Sequence, residues 1–377
     1  MEHYLDNSAT TKVLESAARK AYYMMTEEFG NPSSLHSKGF KAKCELDSAR
    51  EIIAKSLSAE NSEIIFNSGG TEGNNLAVLG AVNAQKRRGN KIVTTAAEHS
   101  SVLKPMQELQ KQGFEITFLK PNQQGVIDPE ELEKEIDENT ILVSIMLVNN
   151  ETGAIQPVKA AADIIRRKKL AAILHTDAVQ GYLKMPISVG KLGVDLLTVS
   201  GHKVHAPKGV GALYISKKTR ILPSYFGGGQ EKNIRAGTEG LPLIAAFAEA
   251  VSQGGSDIQK NAATVAKLNA LLREKLSQKN DINILSAEDA LPYILNFSAG
   301  RVKAETMLHF LSSKEIYVSS GSACGKGKPS HVLTAMGIDK NKIESSIRVS
   351  FSRFNTEEDV LALADALAEG LQTLHHA

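Results

Sequence analysis

The chain has 377 residues, 42% of them hydrophobic, and a formal net charge of +2 from 44 Lys and Arg against 42 Asp and Glu. Acidic and basic residues are interspersed, so nothing calls for a nucleic-acid or membrane surface. No apolar signal segment opens the sequence, and no stretch approaches the roughly 18 apolar residues of a membrane span. We expect a soluble, cytoplasmic protein whose two cysteines, Cys44 and Cys324, stay unpaired in a reducing compartment.

The first part of the chain predicts helices. Residues 1–14 end in the polar run DNSATT and are too short for a domain, so they should pack against a distant segment. Residues 15–60 are typical of two helices separated by the turn-rich FGNPSSLHSKG. The second helix carries an apolar stripe at helical spacing, formed by Ala42, Leu46, Ala49, Ile53 and Leu57. Cys44 lies off that stripe, and we assign it no function.

A strand pattern begins at residue 63. Short apolar runs alternate there with polar, helix-like segments: EIIF, KIVTT, FEITFL, TILVSIML, AAILHT, VDLLTVS and GALYIS. Strands separated by helices imply crossover connections, and hence a mostly parallel sheet flanked by helices. We expect this large domain to span residues 15–255, because SQGGSD marks a boundary there. The segments beyond it, which include a predicted strand at IYVSS, indicate a smaller α/β domain.

Three motifs follow predicted strands in the first half of this domain. SGGTEGNN precedes an apolar helix, so its backbone amides and the Thr71 hydroxyl form an anion site at a helix N-terminus; an ordinary capped turn is the alternative. EHSSV places His99 at a second strand end, where a lone histidine is usually just a hydrogen-bonded loop residue. VNNETG offers Asn150, an amide that can bind a ring hydroxyl or a substrate.

The stretch 171–203 contains two further predicted strands whose ends can carry chemistry. These ends supply Asp177 and Gln180 after the first strand, and Ser200, His202 and Lys203 after the second. Ligands of open α/β sheets bind at the carboxyl ends of strands, so an acid and a lysine there could face one molecule. Pyridoxal phosphate fits, because its aldehyde forms a Schiff base with lysine and its ring nitrogen stays protonated against a carboxylate. Solvated loop charges are the alternative.

Such a cofactor would give the neighbouring residues roles. The imidazole of His99 could lie on the pyridine ring and move protons at the substrate carbon. Ser200 and His202 would add donors for the phosphate. The later run IRAGTEG is a loop signal whose Arg235 and Thr238 could also bind anions.

The remaining motifs lie near the C-terminus. Cys324 belongs to the Gly- and Ser-rich SSGSACGKGKPSHVLTAMG, where Lys326, Lys328 and a helix that Pro329 can open would favour the nucleophilic thiolate. Structural cysteines usually lie among apolar neighbours, which this one lacks, so we favour a reactive role. Arg348, in SSIRVSFSRF, alternates with apolar neighbours and could hold an amino-acid carboxylate bidentately; a structural salt bridge is the alternative.

These motifs resemble, in order, the signatures of the NifS/IscS-like cysteine desulfurases, class-V aminotransferase relatives within fold-type I of the pyridoxal-phosphate enzymes. They are YLDNSATT, SGGTEGNN, AEHSS, VNNETG, HTDAVQ, SGHKVHAPKGVG, RAGTEG, SSGSAC and SIRVSFSRF, and they run from residue 4 to about 354. The resemblance implies a homodimer. It also implies a small domain built from both chain ends, residues 1–14 with 256–377.

The resemblance assigns roles residue by residue. Lys203 would be the Schiff-base lysine, Asp177 the partner of the ring nitrogen and Gln180 a donor to the ring oxygen. His99 would stack on the ring as an acid/base residue. The cofactor would also be bound by Gly70, Thr71, Ser200 and His202, with Thr238 from the other subunit. Asn150 would contact cofactor or substrate oxygens, and Arg348 would bind the substrate carboxylate. Cys324 would accept the sulfur. No metal is expected.

The implied reaction converts L-cysteine to L-alanine and leaves a persulfide on Cys324, which passes to a sulfur acceptor such as an iron–sulfur scaffold or a tRNA-thiolating enzyme. Selenocysteine lyase, cysteine β-lyase or aminotransferase chemistry on the same scaffold, and a catalytically silent sulfur relay, are the alternatives. Only Gly-Lys-Gly-Lys separates Cys324 from Pro329. Many IscS-like relatives carry a longer insertion there, so the acceptor stays open.

Overall fold

The structure is a computed structural model that describes residues 2–320 and 329–374. Its helices are α1 (Glu15–Thr26), α2 (Ser37–Leu57), α3 (Gly70–Gln85), α4 (Ser100–Lys111), α5 (Pro129–Glu135), α6 (Val158–Arg167), α7 (Val189–Leu192), α8 (Leu241–Gly255), α9 (Ile258–Ser277), α10 (Ala304–Ser313), α11 (His331–Ala335), α12 (Lys340–Glu344) and α13 (Glu357–Thr373). Its strands are β1 (His3–Tyr4), β2 (Ile64–Asn67), β3 (Lys91–Thr95), β4 (Glu115–Leu119), β5 (Thr140–Ser144), β6 (Ile173–Asp177), β7 (Leu196–Ser200), β8 (Gly211–Ile215), β9 (Asn283–Ile284), β10 (Ile294–Ser298), β11 (Ile316–Tyr317), β12 (Ser319–Ser320) and β13 (Ser346–Ser350).

The central sheet has seven strands in the order β2-β8-β7-β6-β5-β3-β4. Strands β3 to β7 pair in parallel, and β8 runs antiparallel to both of its neighbours. Each apolar run of the sequence supplies one of these strands, so the predicted mostly parallel sheet is confirmed. Because β2, β3, β5, β6 and β7 all end at the same edge, the polar residues that follow them gather there.

Both faces of the sheet are covered by helices. Successive residues of a strand point to opposite faces, so Ile92 and Ile173 join one apolar cluster while Val93 and Leu174 join the other. The apolar stripe predicted on α2 is buried in the second of these clusters, and Cys44 is exposed. Within the two described ranges, no helix combines the length and the hydropathy needed to cross a bilayer.

The second half of the chain builds smaller sheets. A four-stranded sheet has the order β12-β13-β10-β9, and β1 pairs in parallel with β11. The N-terminal segment therefore does lie against a distant part of the chain, and Asp6 continues this contact by bridging to Ser350. The division into domains at residue 255 stays a prediction.

Two details of this region differ from the prediction. The run IYVSS was expected to form one strand, but Ile316–Tyr317 pairs with β1 whereas Ser319–Ser320 pairs with β13, so the chain changes sheets at Val318. Pro329 was expected in the first turn of a helix, but α11 begins only at His331. The hydroxyl of Ser330 accepts a hydrogen bond from the Leu333 N–H and caps the helix, so the proline precedes the cap.

Candidate active site

Asp177 is the buried last residue of β6, and both of its carboxylate oxygens accept hydrogen bonds. Asn74 Nδ2, from the second turn of α3, lies 2.7 Å from Oδ2, and the Val179 N–H lies 3.0 Å from Oδ1. Gly73 allows this approach, because a Cβ there would lie 2.6 Å from Thr198 Cγ2 on β7. The carboxylate is thus fixed at the carboxyl edge of the sheet, where it can pair with a cation.

A row of hydrogen bonds connects Asp177 to His99. Asn74 Nδ2 also donates to Ser101 Oγ at 2.8 Å, and that hydroxyl lies 2.7 Å from His99 Nδ1. Nδ1 also accepts from the Ser101 N–H at 3.2 Å, so the ring proton belongs on Nε2. Burial lowers the pKa of His99 and Lys203 adds to this, while Asp177 opposes it. The shift favours the neutral imidazole, with its N–H on Nε2.

Lys203 ends the 3₁₀ turn Gly201–Lys203 that follows β7. Its Nζ donates to two backbone carbonyls of the N-terminal segment, Ser8 O at 2.5 Å and Ala9 O at 2.7 Å. Gln180 Nε2 donates to the same Ser8 oxygen at 3.0 Å, so the lysine amine and the glutamine amide are neighbours. Residues from three distant parts of the chain meet at this point.

Unsatisfied donors form a cradle beside this lysine. Ser200 Oγ is buried and has no partner within the described ranges. Gly69 has a φ of +141°, a conformation that favours glycine, and it directs the chain into α3 so that the N–H groups of Gly70 and Thr71 start the helix. Helix N-termini bind anions, so these donors fit a phosphate group.

His202 lies next to this cradle. Its Nδ1 lies 3.2 Å from the hydroxyl of Thr10, and burial together with the nearby Lys203 lowers its pKa to about 4. A neutral imidazole remains a single N–H donor, which suits a phosphate or hydroxyl partner.

Arg348 lies on β13 with only 1% of its surface exposed. Its Nη1 donates to Asn150 O at 3.0 Å and its Nη2 to Asp6 Oδ1 at 2.9 Å. The salt bridge that was the alternative for this arginine is therefore present. Its Nε, however, is buried without a partner in the described part of the chain, so the guanidinium keeps donor capacity for a ligand.

Some predicted residues are not part of this cluster. Thr238 is exposed, and Arg235 pairs with Glu72 at 3.0 Å instead of presenting a free guanidinium. Cys324, with Lys326 and Lys328, lies outside the described residues.

Three buried polar residues lie inside the sequence motifs but were not predicted to have a role. Asn74 orients both Asp177 and Ser101. Glu98 accepts from Thr95 Oγ1 and the Met146 N–H, and burial raises its pKa to about 8. The signal that could have indicated these roles is a polar residue within a motif made otherwise of small or apolar residues. The third of these residues is Glu151.

Glu151, in the VNNETG motif that follows β5, contacts Ser330 at the start of α11. Its Oε2 accepts a 2.5 Å hydrogen bond from Ser330 Oγ, and burial raises its pKa to about 7. Its backbone oxygen accepts from Asn296 Nδ2 at 3.2 Å. This buried contact fixes the start of α11 against the edge of the central sheet.

Together these groups fit pyridoxal phosphate. A lysine amine, a fixed carboxylate and a phosphate cradle with the orphaned Ser200 hydroxyl are the three features that the cofactor needs. Within residues 2–320 and 329–374, no three His, Cys, Asp or Glu side chains are grouped so that they could hold a metal ion.

The chain is similar to known proteins over nearly its whole length. The model of the family described as aminotransferase class-V matches residues 3–363. Cysteine desulfurase IscS of Methanosarcina thermophila is 41% identical over 377 residues, which cover 99% of this chain and 93% of the relative. A solved NifS-like protein has a TM-score of 0.94 at 37% identity, covering 99% of this chain and 100% of the other. SspA in complex with cysteine has a TM-score of 0.82 at 32% identity, with coverages of 94% and 100%. These likenesses confirm the NifS/IscS-like resemblance and the fold-type I architecture.

Proposed function

Since the chain belongs to the aminotransferase class-V family, as a cysteine desulfurase of the NifS/IscS type, we propose that Lys203, His99 and Cys324 carry out its reaction. The enzyme depends on pyridoxal phosphate, takes L-cysteine as substrate and passes sulfur to an acceptor. The observation that carries the residue assignment is the hydrogen-bonded row from Asp177 to His99, whose pKa is also lowered by the charge of Lys203.

The cofactor would be held by groups at the edge of the central sheet. Lys203 would hold it covalently and Asp177 would face its ring nitrogen. Its phosphate would be bound by Gly70, Thr71, Ser200 and His202, with Thr238 of a second subunit. When bound, the cofactor's ring accepts the electrons released at the substrate Cα. Gln180 would donate to the ring oxygen.

The chain's own residues would bind the substrate and transfer protons. Arg348 and Asn150 would bind the substrate carboxylate and thereby orient Cα toward Lys203. Lys203 Nζ and His99 would move protons at the substrate carbons, with His99 presenting the N–H of its Nε2.

Cys324 would then take the sulfur. Its thiolate would attack the substrate sulfur, forming an S–S bond while the C–S bond breaks and its electron pair stays on Cβ. Protonation at Cβ completes alanine, and Cys324 keeps a persulfide until a second thiol or an acceptor protein removes the outer sulfur.

Product identity tests this reaction. The purified, cofactor-loaded enzyme with L-cysteine and a reducing thiol should release alanine and sulfide in equal amounts. Pyruvate and ammonia would instead indicate a β-lyase, and alanine formed only from selenocysteine would indicate a selenocysteine lyase. Either outcome would contradict the assignment of Cys324.

A homodimer is part of the proposal. Large apolar side chains are exposed between residues 22 and 40 and again near residue 226; they are Tyr22, Tyr23, Met25, Phe29, Leu35, Phe40 and Phe226. Such surfaces usually mark an interface. The exposed Thr238 follows the second of these segments in sequence, as expected for a residue that reaches into a partner's site.

The mass in solution tests the dimer. We expect twice the 40.6 kDa chain mass by sedimentation, and a shift toward monomer when Leu35 and Phe226 are both replaced by aspartate. Leu361→Asp on α13 is the matched control and should leave the mass unchanged. A wild-type monomer that is fully active would rule out a contribution from a second subunit.

A sulfur acceptor is also part of the proposal. An iron–sulfur scaffold and a tRNA-thiolating enzyme are both candidates, in a cytoplasmic setting that suits a chain with two cysteines. The short Gly-Lys-Gly-Lys segment after Cys324 favours a dedicated acceptor. Transfer of labelled sulfur from the loaded enzyme to each candidate protein distinguishes them.

A further inference from the structure

Lys184 is a buried lysine for which the proposed reaction has no use. Only 6% of its surface is exposed, although burying an ammonium group is costly unless it is paired and hydrogen-bonded. Its Nζ donates to Gln180 Oε1 at 2.9 Å and lies 5.9 Å from the centre of the Tyr293 ring. Its partners are thus an amide and an aromatic face rather than a carboxylate.

The contact with Gln180 fixes the direction of the glutamine amide. Lys184 offers N–H donors, so the amide oxygen faces it, and the amide nitrogen points the other way and donates to Ser8 O. That carbonyl oxygen also accepts from Lys203 Nζ. The N–H groups of Gln180 are therefore directed to the side where Lys203 ends.

We propose that Lys184 is a positioning residue that holds Gln180 with its N–H groups toward the cofactor's ring oxygen. The inference rests on the proposed role of Gln180 as the donor to that oxygen. Without Lys184, Gln180 Oε1 would be buried and unpaired, and the amide would gain by turning away or flipping, which would present an acceptor to an oxygen that needs a donor.

The electrostatic surroundings support this role. Burial lowers the pKa of Lys184 to about 7, and the nearby cations Lys203 and Arg348 add to this. The Tyr293 ring and the Gln180 amide also lie against it, and His202 and His205 are the other titratable groups that interact with its charge. Both the ammonium and the neutral amine carry N–H donors, so the contact with Gln180 Oε1 survives titration of Lys184.

A double-mutant cycle on cofactor binding tests the proposal. Apoprotein is titrated with pyridoxal phosphate, and the dissociation constant and the position of the visible absorption band are recorded for Lys184→Met, Gln180→Leu and the double variant. We expect each single change to weaken binding by about tenfold and to shift the band in the same direction. The double variant should match Gln180→Leu, because Lys184 acts through that side chain.

The controls separate this inference from the proposed function. Lys191→Met replaces an exposed lysine and should bind the cofactor as the wild type does. Lys184→Gln keeps an N–H donor and should fold and bind the cofactor nearly normally; a tenfold loss in this variant would show that the N–H donor is not what Lys184 contributes and would overturn the inference, even if Lys184→Met does not fold. Wild-type behaviour of Lys184→Met, or effects that multiply in the double variant, would overturn the inference alone. Wild-type behaviour of Gln180→Leu would overturn the role of Gln180 and, with it, this inference.

Discussion

Replacing Lys203 by alanine is expected to abolish covalent attachment of pyridoxal phosphate and to lower alanine formation by a factor on the order of 10³ or more. The amine is the group that would bond to the cofactor and return a proton to the substrate. The nearby Lys184 cannot take over, because its Nζ is tied to Gln180 Oε1 on the other side of the amide. Borohydride reduction of the purified protein, followed by peptide mass spectrometry, measures the attachment.

The matched control for this change is Lys208→Ala. Lys208 lies five residues later in the same motif and is exposed, so its loss should leave the reducible absorption band and the rate nearly unchanged. A Lys203→Ala protein that still fixes the cofactor on borohydride treatment would show that another lysine is the attachment site.

The parts of the site that could be predicted from the sequence are those determined by local chain direction. Asp177, His99 and Ser200 each follow an apolar run, and parallel strands bring such residues to one edge. The apolar stripe of α2 has the same origin, since helical spacing alone determines which side is buried. These predictions needed only the period of the pattern and the position where it stops.

The contacts that could not be predicted join residues far apart in the chain. Asp6 pairs with Arg348 across 342 positions, and Ser8 O accepts from Lys203 across 195. A sequence pattern shows that a polar residue needs a partner, but many candidates satisfy it equally well. For the same reason, the sequence left Arg348 undecided between a substrate contact and a salt bridge, and the structure has the salt bridge with the buried Nε unpartnered in the described ranges.

The predicted strand boundaries were wrong where the chain passes from one sheet to another. IYVSS has one continuous strand pattern, yet its two halves pair with β1 and β13. The change at Val318 depends on where the N-terminal segment lies, which is tertiary information. A pairing partner from the other end of the chain therefore overrode the local propensity.

Serine in place of Cys324 is expected to stop sulfur transfer while leaving cofactor binding intact. A serine hydroxyl is a far weaker nucleophile toward sulfur than a thiolate, and loss of a covalent nucleophile typically costs a factor on the order of 10³–10⁶ in rate. Lys203, His99 and Arg348 are untouched by the change, so binding of L-cysteine should still alter the cofactor's visible spectrum. Alanine release and persulfide labelling of the protein are the measurements.

The other cysteine gives the decisive comparison. Cys44 is exposed on α2 and belongs to none of the site motifs, so Cys44→Ser should retain the parental rate and the persulfide. If the persulfide label were instead lost in Cys44→Ser and kept in Cys324→Ser, Cys44 would be the sulfur acceptor. That result would contradict the proposal. If Cys324→Ser made alanine at the parental rate, C–S cleavage would not need a protein thiol, and the reaction would belong with the lyases that release sulfur or selenium directly.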